Sequence, residues 1–160
     1  MNILYDHQVF FWQQYGGISR YFYEIIKRIA KKETVFLFED NYINDYGLEK
    51  ISEVMKYYGK RRPSIKYTGR IFRYLSKYNL NKFVRDLTID IYHPTYYEDF
   101  NVNKGKLIIT VHDMIHELYS IDPKIIKEKK NIINKADGII CVSESTKNDL
   151  INILDIDEKK

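Results

Sequence analysis

Three places in this chain put reactive side chains at spacings that suit chemistry. His112-Asp113-Met114-Ile115-His116 has the two-histidine spacing of a zinc-hydrolase motif, with aspartate where such motifs carry glutamate. Both imidazoles reach one metal only from a continuous helix. Here Leu107-Ile108-Ile109-Thr110-Val111 reads as a strand that ends at His112, and the shorter Asp113 places its carboxylate differently. A strand-end histidine that hydrogen-bonds a substrate, oriented by Asp113, suits the pattern better, and a histidine that satisfies a loop carbonyl is the alternative. Tyr15-Gly16-Gly17 opens a helix. Glycines let a backbone approach a ligand, and the free amides of a helix start attract phosphate. The full dinucleotide and Walker patterns are absent, so a plain turn is the competing reading. Cys141-Val142-Ser143-Glu144-Ser145 lacks the glycines that flank a nucleophilic serine. Ser143 reads as a helix N-cap and Cys141 as a buried, unreactive thiol.

The elements that must position these residues alternate. Asn2 to Tyr5 reads as a strand, and Gly17 to Lys31 as a helix with Ile18, Phe22, Ile25, Ile26 and Ile29 on one stripe. Strands are predicted at Thr34–Phe38, Ile89–His93, Lys106–Val111 and Gly138–Val142. Helices are predicted near 47–58 and 70–87, with a break at Arg61-Arg62-Pro63-Ser64. Asp122-Pro123 starts a helix to about Lys135, and Ser143 caps one through Leu154. Five strands alternating with helices imply an α/β fold, a Rossmann-like parallel sheet with helices on both faces. Ligands of such sheets bind at the carboxyl ends of the strands. Asp6 and His7, then His93 to Tyr96, His112 and Asp113, and Ser143 to Ser145 all follow strands, so they share one edge.

Composition narrows the class. A chain of 160 residues fits one domain and buries a sizeable core without staples. A single cysteine excludes an intramolecular disulfide and a cysteine-rich zinc site. No apolar run reaches the ~18 residues of a membrane span. The N-terminus has no basic region, and Asp6 and His7 interrupt its first apolar run, so no signal peptide is expected and the setting is cytoplasmic. The net charge of +4 hides an uneven distribution. From Lys50 to Arg85 there are 11 basic residues and one acid, Glu53, interleaved with Tyr57, Tyr58, Tyr67, Phe72, Tyr74, Tyr78 and Phe83. That segment reads either as a solvated helix face with its rings turned inward or as a surface that meets an anionic membrane. Nucleic acid is not expected, because its recognition signatures are missing.

Tyr5-Asp6-His7-Gln8-Val9-Phe10, Gln14-Tyr15-Gly16-Gly17-Ile18-Ser19-Arg20-Tyr21-Phe22, Ile91-Tyr92-His93-Pro94-Thr95-Tyr96-Tyr97, Thr110-Val111-His112-Asp113 through Glu117, and Ala136-Asp137-Gly138 through Lys147 stand in an order that resembles family 4 glycosyltransferases. The branch resembled is the mannosyltransferase-like enzymes of surface polysaccharide synthesis. The resemblance implies the N-terminal, acceptor-side domain of a GT-B enzyme that transfers sugar from a nucleotide-sugar donor, with retention, to a saccharide or lipid-linked acceptor. It implies that Gly16 and Gly17 approach the donor phosphates, that His112 contacts the transferred sugar and that Asp113 supports His112. Ser143 and Glu144 would lie by the cleft, and Asp6, Arg20 and Tyr96 would contact acceptor. No metal is implied, since helix dipoles and basic side chains balance the leaving diphosphate. The family's C-terminal donor-binding domain is not among these residues, so transfer by this chain alone is not expected. The rival functions are a metal-dependent hydrolase using His93, His112, Asp113 and His116, and a non-catalytic Rossmann-like interaction module. The expected place is cytoplasmic, peripheral at the inner membrane face.

Overall fold

Successive residues of the apolar runs turn to opposite sides, and both sides are covered. In β1 (Asn2–Tyr5) and β2 (Thr34–Tyr42), Ile3, Tyr5, Val35 and Leu37 pack with Phe22 and Ile26 of α2 (Gly17–Ile29). Leu4, Phe36 and Phe38 face the other way, onto Leu80, Phe83 and Val84 of α3 (Gly69–Val84). Burial on both faces is what a parallel sheet requires. The computed structural model describes residues 1–62 and 69–157. Its other strands are β3 (Lys56–Arg61), β4 (Ile91–His93), β5 (Lys106–Val111) and β6 (Gly138–Cys141). All neighbours are parallel, in the order β3-β2-β1-β4-β5-β6. This is the Rossmann order, whose direction reverses at β1 and opens a crevice between the carboxyl ends of β1 and β4.

The right half of the sheet is covered by α5 (Pro123–Lys135) and α6 (Glu144–Leu154). Ile109 and Val111 of β5 pack there against Ile132, Ile133 and Leu150. Each fully buried isoleucine contributes about 1.5–3 kcal/mol. Both helices start where the sequence places their caps. Asp122 Oδ1 accepts the Lys124 and Ile125 amides at 2.9 and 3.2 Å, and Ser143 Oγ accepts the Thr146 amide at 3.1 Å. Cys141 is half-buried, and burial pushes its thiol up, away from the reactive thiolate.

The region after β2 departs from expectation. The helix predicted near 47–58 is a single 3₁₀ turn, Leu48–Lys50, followed by β3, which makes six strands instead of five. The sequence Lys-Tyr-Tyr-Gly-Lys-Arg has no apolar run, yet it completes the open edge of β2. Tyr58 stacks on Phe38 at 5.1 Å, and Tyr57 turns to the opposite side. Lysines on an edge strand discourage pairing with another chain. Two five-residue helices, α1 (Gln8–Trp12) and α4 (Ile115–Tyr119), occupy segments for which the sequence predicts no element. Pro63, Ser64 and Tyr67 lie outside the described residues.

β2 also buries an acid. Tyr57 Oη donates to Glu39 Oε2 at 2.7 Å, and burial pushes the Glu39 carboxyl up to about 8. Native protein therefore holds a proton on Glu39 that the unfolded chain releases near its ordinary value of 4.5. On this account stability is highest below about pH 4.5 and declines toward pH 8, by at most about 1.4 kcal/mol per pH unit. Glu39→Gln keeps the acceptor and removes the titration. Urea midpoints at about pH 5.5 and 8 should differ less in this variant than in the wild type, and an unchanged difference would refute the assignment.

Candidate functional site at the carboxyl edge of the sheet

The crevice between β1 and β4 is organised by one carboxyl group. Asp6 follows β1, is fully buried and accepts five hydrogen bonds. Tyr92 Oη donates at 2.6 Å, Gln8 Nε2 at 2.7 Å, the Thr95 amide and hydroxyl at 2.9 Å each, and the Gln8 amide at 3.3 Å. These bonds tie the turns after β1 and β4 together. Gln8 then reaches on to Glu98, donating to its carbonyl and accepting its amide, both at 2.9 Å. Asp6 thus sits beneath the edge rather than on it, its oxygens committed to the protein.

Two histidines line the next strands. His93 ends β4 inside a ring of Tyr5 and Phe22, with Nε2 2.8 Å from Thr110 Oγ1. His112 follows β5, and its ring stands perpendicular to Tyr21 at 5.0 Å. Burial lowers both imidazoles to about 4, so they are neutral hydrogen-bonding groups over the physiological range. His112 Nε2 is buried without a partner. Asp113 does not hydrogen-bond that ring. Its Oδ1 accepts the Ile115 amide at 3.1 Å, which closes an Asx turn leading into α4. The expected orienting role of Asp113 is therefore reduced to the field of its charge, which raises the His112 value against burial.

The loop that follows His112 is braced instead by a buried cation. Lys129 of α5 is fully buried and donates to the Asp113 carbonyl at 2.9 Å and to Glu117 Oε2 at 2.8 Å. Its ammonium lies 5.0 Å from the Tyr97 ring, whose hydroxyl accepts the His112 amide at 3.3 Å. Sequence reading missed this group, although Lys129 falls on the inward stripe of Ile125, Ile132 and Ile133. A lysine at an inward helical position is the signal that could have found it.

Gly16 and Gly17 open α2. The Gln13 side chain accepts the Ser19 amide at 3.1 Å and crowds Gly16, where an added Cβ would meet Gln13 Oε1 at 2.3 Å. Gly17 differs, since a Cβ there meets nothing within 4 Å. Arg20 is exposed one turn on. Tyr96 is half-buried against the Trp12 ring at 4.9 Å, its hydroxyl pushed up to about 12 by burial. Both rings line a cavity of about 390 Å³ between α1 and the start of α5. Ser143 and Glu144 are exposed and line a separate hollow beside β6. The expected site residues thus follow one edge without sharing one pocket. The four residues of the hydrolase reading are not gathered either. Among the described residues no group of three or more histidine, cysteine, aspartate or glutamate side chains is placed to hold a metal.

The family 4 glycosyltransferase model matches residues 15–160, nearly the whole chain. The chain belongs to glycosyltransferase family 4. The family 4 domain is also similar to a solved structure, the apo form of the lipopolysaccharide outer core galactosyltransferase WaaB, with a TM-score of 0.61 and 16% identity. That similarity covers 99% of this chain and 44% of that one, so the domain spans less than half its length. At that identity the likeness shows the fold, the GT-B N-terminal type. No curated protein matches the sequence. Among the described residues no helix of the family 4 domain is long and apolar enough to cross a membrane.

Proposed function

We propose that this chain is the acceptor-side domain of a retaining glycosyltransferase. The enzyme would move a sugar from a nucleotide-sugar donor to a saccharide or lipid-linked acceptor in surface polysaccharide synthesis, at the cytoplasmic face of a membrane. The observation that carries the reading is Gly17, where the fold leaves open space and has no need of glycine. At the start of a 13-residue helix the Gln13 side chain takes the Ser19 amide, and the open space at Gly17 leaves room for a diphosphate to approach the first backbone amides. Neutral His112 offers a hydrogen bond to the transferred sugar without adding charge, and Lys129 braces the loop after it at the Asp113 carbonyl. Arg20 and Tyr96 face the acceptor side, and Ser143 and Glu144 border the cleft. Asp6 acts by fixing the crevice. The amides of α2 and basic side chains balance the leaving charge, and no metal is required.

Inorganic pyrophosphate is the direct probe. It should shift the Gly17 and Ile18 amide resonances of the wild type and leave those of Gly17→Val at least about tenfold less responsive. The variant's stability should stay within about 0.5 kcal/mol, since the added side chain meets open space. Equal responses in both proteins would remove Gly17 from the donor site. Residues 1–160 alone should give no sugar transfer, and steady turnover would overturn that part of the reading.

A further inference from the structure

The outward face of α3 is apolar where a surface helix is normally polar. Its inward stripe is complete: Ser76, Leu80, Phe83 and Val84 are buried on β2 and its neighbours. The opposite stripe carries Ile71, Tyr74, Leu75 and Tyr78 at 62%, 77%, 44% and 67% exposure. Their spacing of three and four residues forms one continuous ridge. Lys77, Lys82 and Arg85 are exposed beside and beyond it, and Gly69–Val84 contains no acid. Lys56 of β3 sits 4.8 Å over the Phe83 ring, so the basic edge of the sheet borders the same helix.

This sorts the basic, aromatic segment that sequence alone left undivided. Tyr57, Tyr58 and Phe83 turn inward, while Tyr74 and Tyr78 face solvent with two aliphatic residues that the charge pattern did not reveal. We infer that this face of α3 docks on an anionic lipid bilayer. Aliphatic and tyrosine side chains enter the headgroup layer, and lysine and arginine stems lie along it with their charges on lipid phosphates. From Ile71 to Val84 the helix presents about 20 Å of such surface. A second copy of the chain fits poorly, because a two-fold contact would set Lys77, Lys82 and Arg85 against themselves with no acid on the helix to balance them. The inference deepens the membrane placement in the proposed function, and its test involves no sugar, so its failure would leave the transfer reading standing.

Co-sedimentation with vesicles of neutral phosphatidylcholine, alone or with about 30% phosphatidylglycerol, tests it. The wild type should pellet with anionic vesicles at least about tenfold better than with neutral ones, and high salt should weaken this binding. Lys77→Glu/Lys82→Glu should lose at least about tenfold. Ile71→Ser/Leu75→Ser should lose the part that salt does not remove. All four positions are exposed, so circular dichroism should show an unchanged fold. Failure of the wild type to pellet, equal binding to neutral vesicles, or charge-reversed protein that binds as before would overturn the proposal. So would sedimentation equilibrium showing a dimer that Ile71→Ser/Leu75→Ser dissolves.

Discussion

Asp6→Ala should cost about 3–5 kcal/mol of folding free energy in urea denaturation. The carboxyl group is fully buried, and its removal leaves Tyr92 Oη, the Thr95 amide and the Gln8 amide groups without acceptors in a space too enclosed for easy solvation. Each orphaned buried group costs about 1–3 kcal/mol, and the terms overlap because Gln8 and Thr95 can shift together. Against a typical total of about 5–15 kcal/mol, the loss is large. Asp6→Asn should lose about 2 kcal/mol, since its amide would face the donors Tyr92 Oη and Gln8 Nε2. Asp137 supplies the contrast. It accepts the Leu107 amide at 2.8 Å but is exposed, so Asp137→Asn should stay within about 1 kcal/mol. A loss below about 1 kcal/mol for Asp6→Ala would mean a solvated carboxyl group, open to the acceptor contact that the family resemblance implies.

Lys129→Met should cost a similar ~3–5 kcal/mol, because it strands Glu117 in the interior. Glu117 Oε1 already has no hydrogen-bond partner, so nothing takes over when Lys129 is lost. Lys129→Met with Glu117→Leu should recover most of the loss although it removes the pair altogether, because two apolar side chains fill the space without an unpaired charge. The functional readout is separate. The Lys129 charge lowers the His112 value, so Lys129→Met should move the His112 titration upward by NMR. A stability loss below about 1 kcal/mol, or a His112 titration that stays put, would mean that Lys129 is hydrated and does not govern the loop.

Local patterns made much of the fold legible. The stripe of α2, the caps Asp122 and Ser143 and the run Lys106–Val111 stand in the structure where periodicity and capping chemistry place them. α1 escaped because five residues span too little for a helical period, and its N-cap, His7, makes no side-chain capping bond; Val9 and Phe10 are held there by the core. β3 escaped because a charged edge strand has neither the alternation nor the apolar run that marks one, and only the open edge of β2 makes it a strand.

By itself the sequence determined the alternation of strands and helices, the edge on which Gly17, His112 and Ser143 lie, and the family. Each of these is written in neighbouring residues or in the order of short motifs. Only the tertiary structure decided which polar groups serve that edge from beneath and which stand on it. Asp6 and Asp113 both follow strands, yet one is buried under five donors supplied by three residues and the other closes a turn into the next helix. The cost of burying a carboxyl group depends on partners as far away as Tyr92 and Thr95, and no local spacing encodes them. The same holds for Lys129 and for the bare ridge of α3, whose meanings depend on what the fold packs against them and what it leaves uncovered.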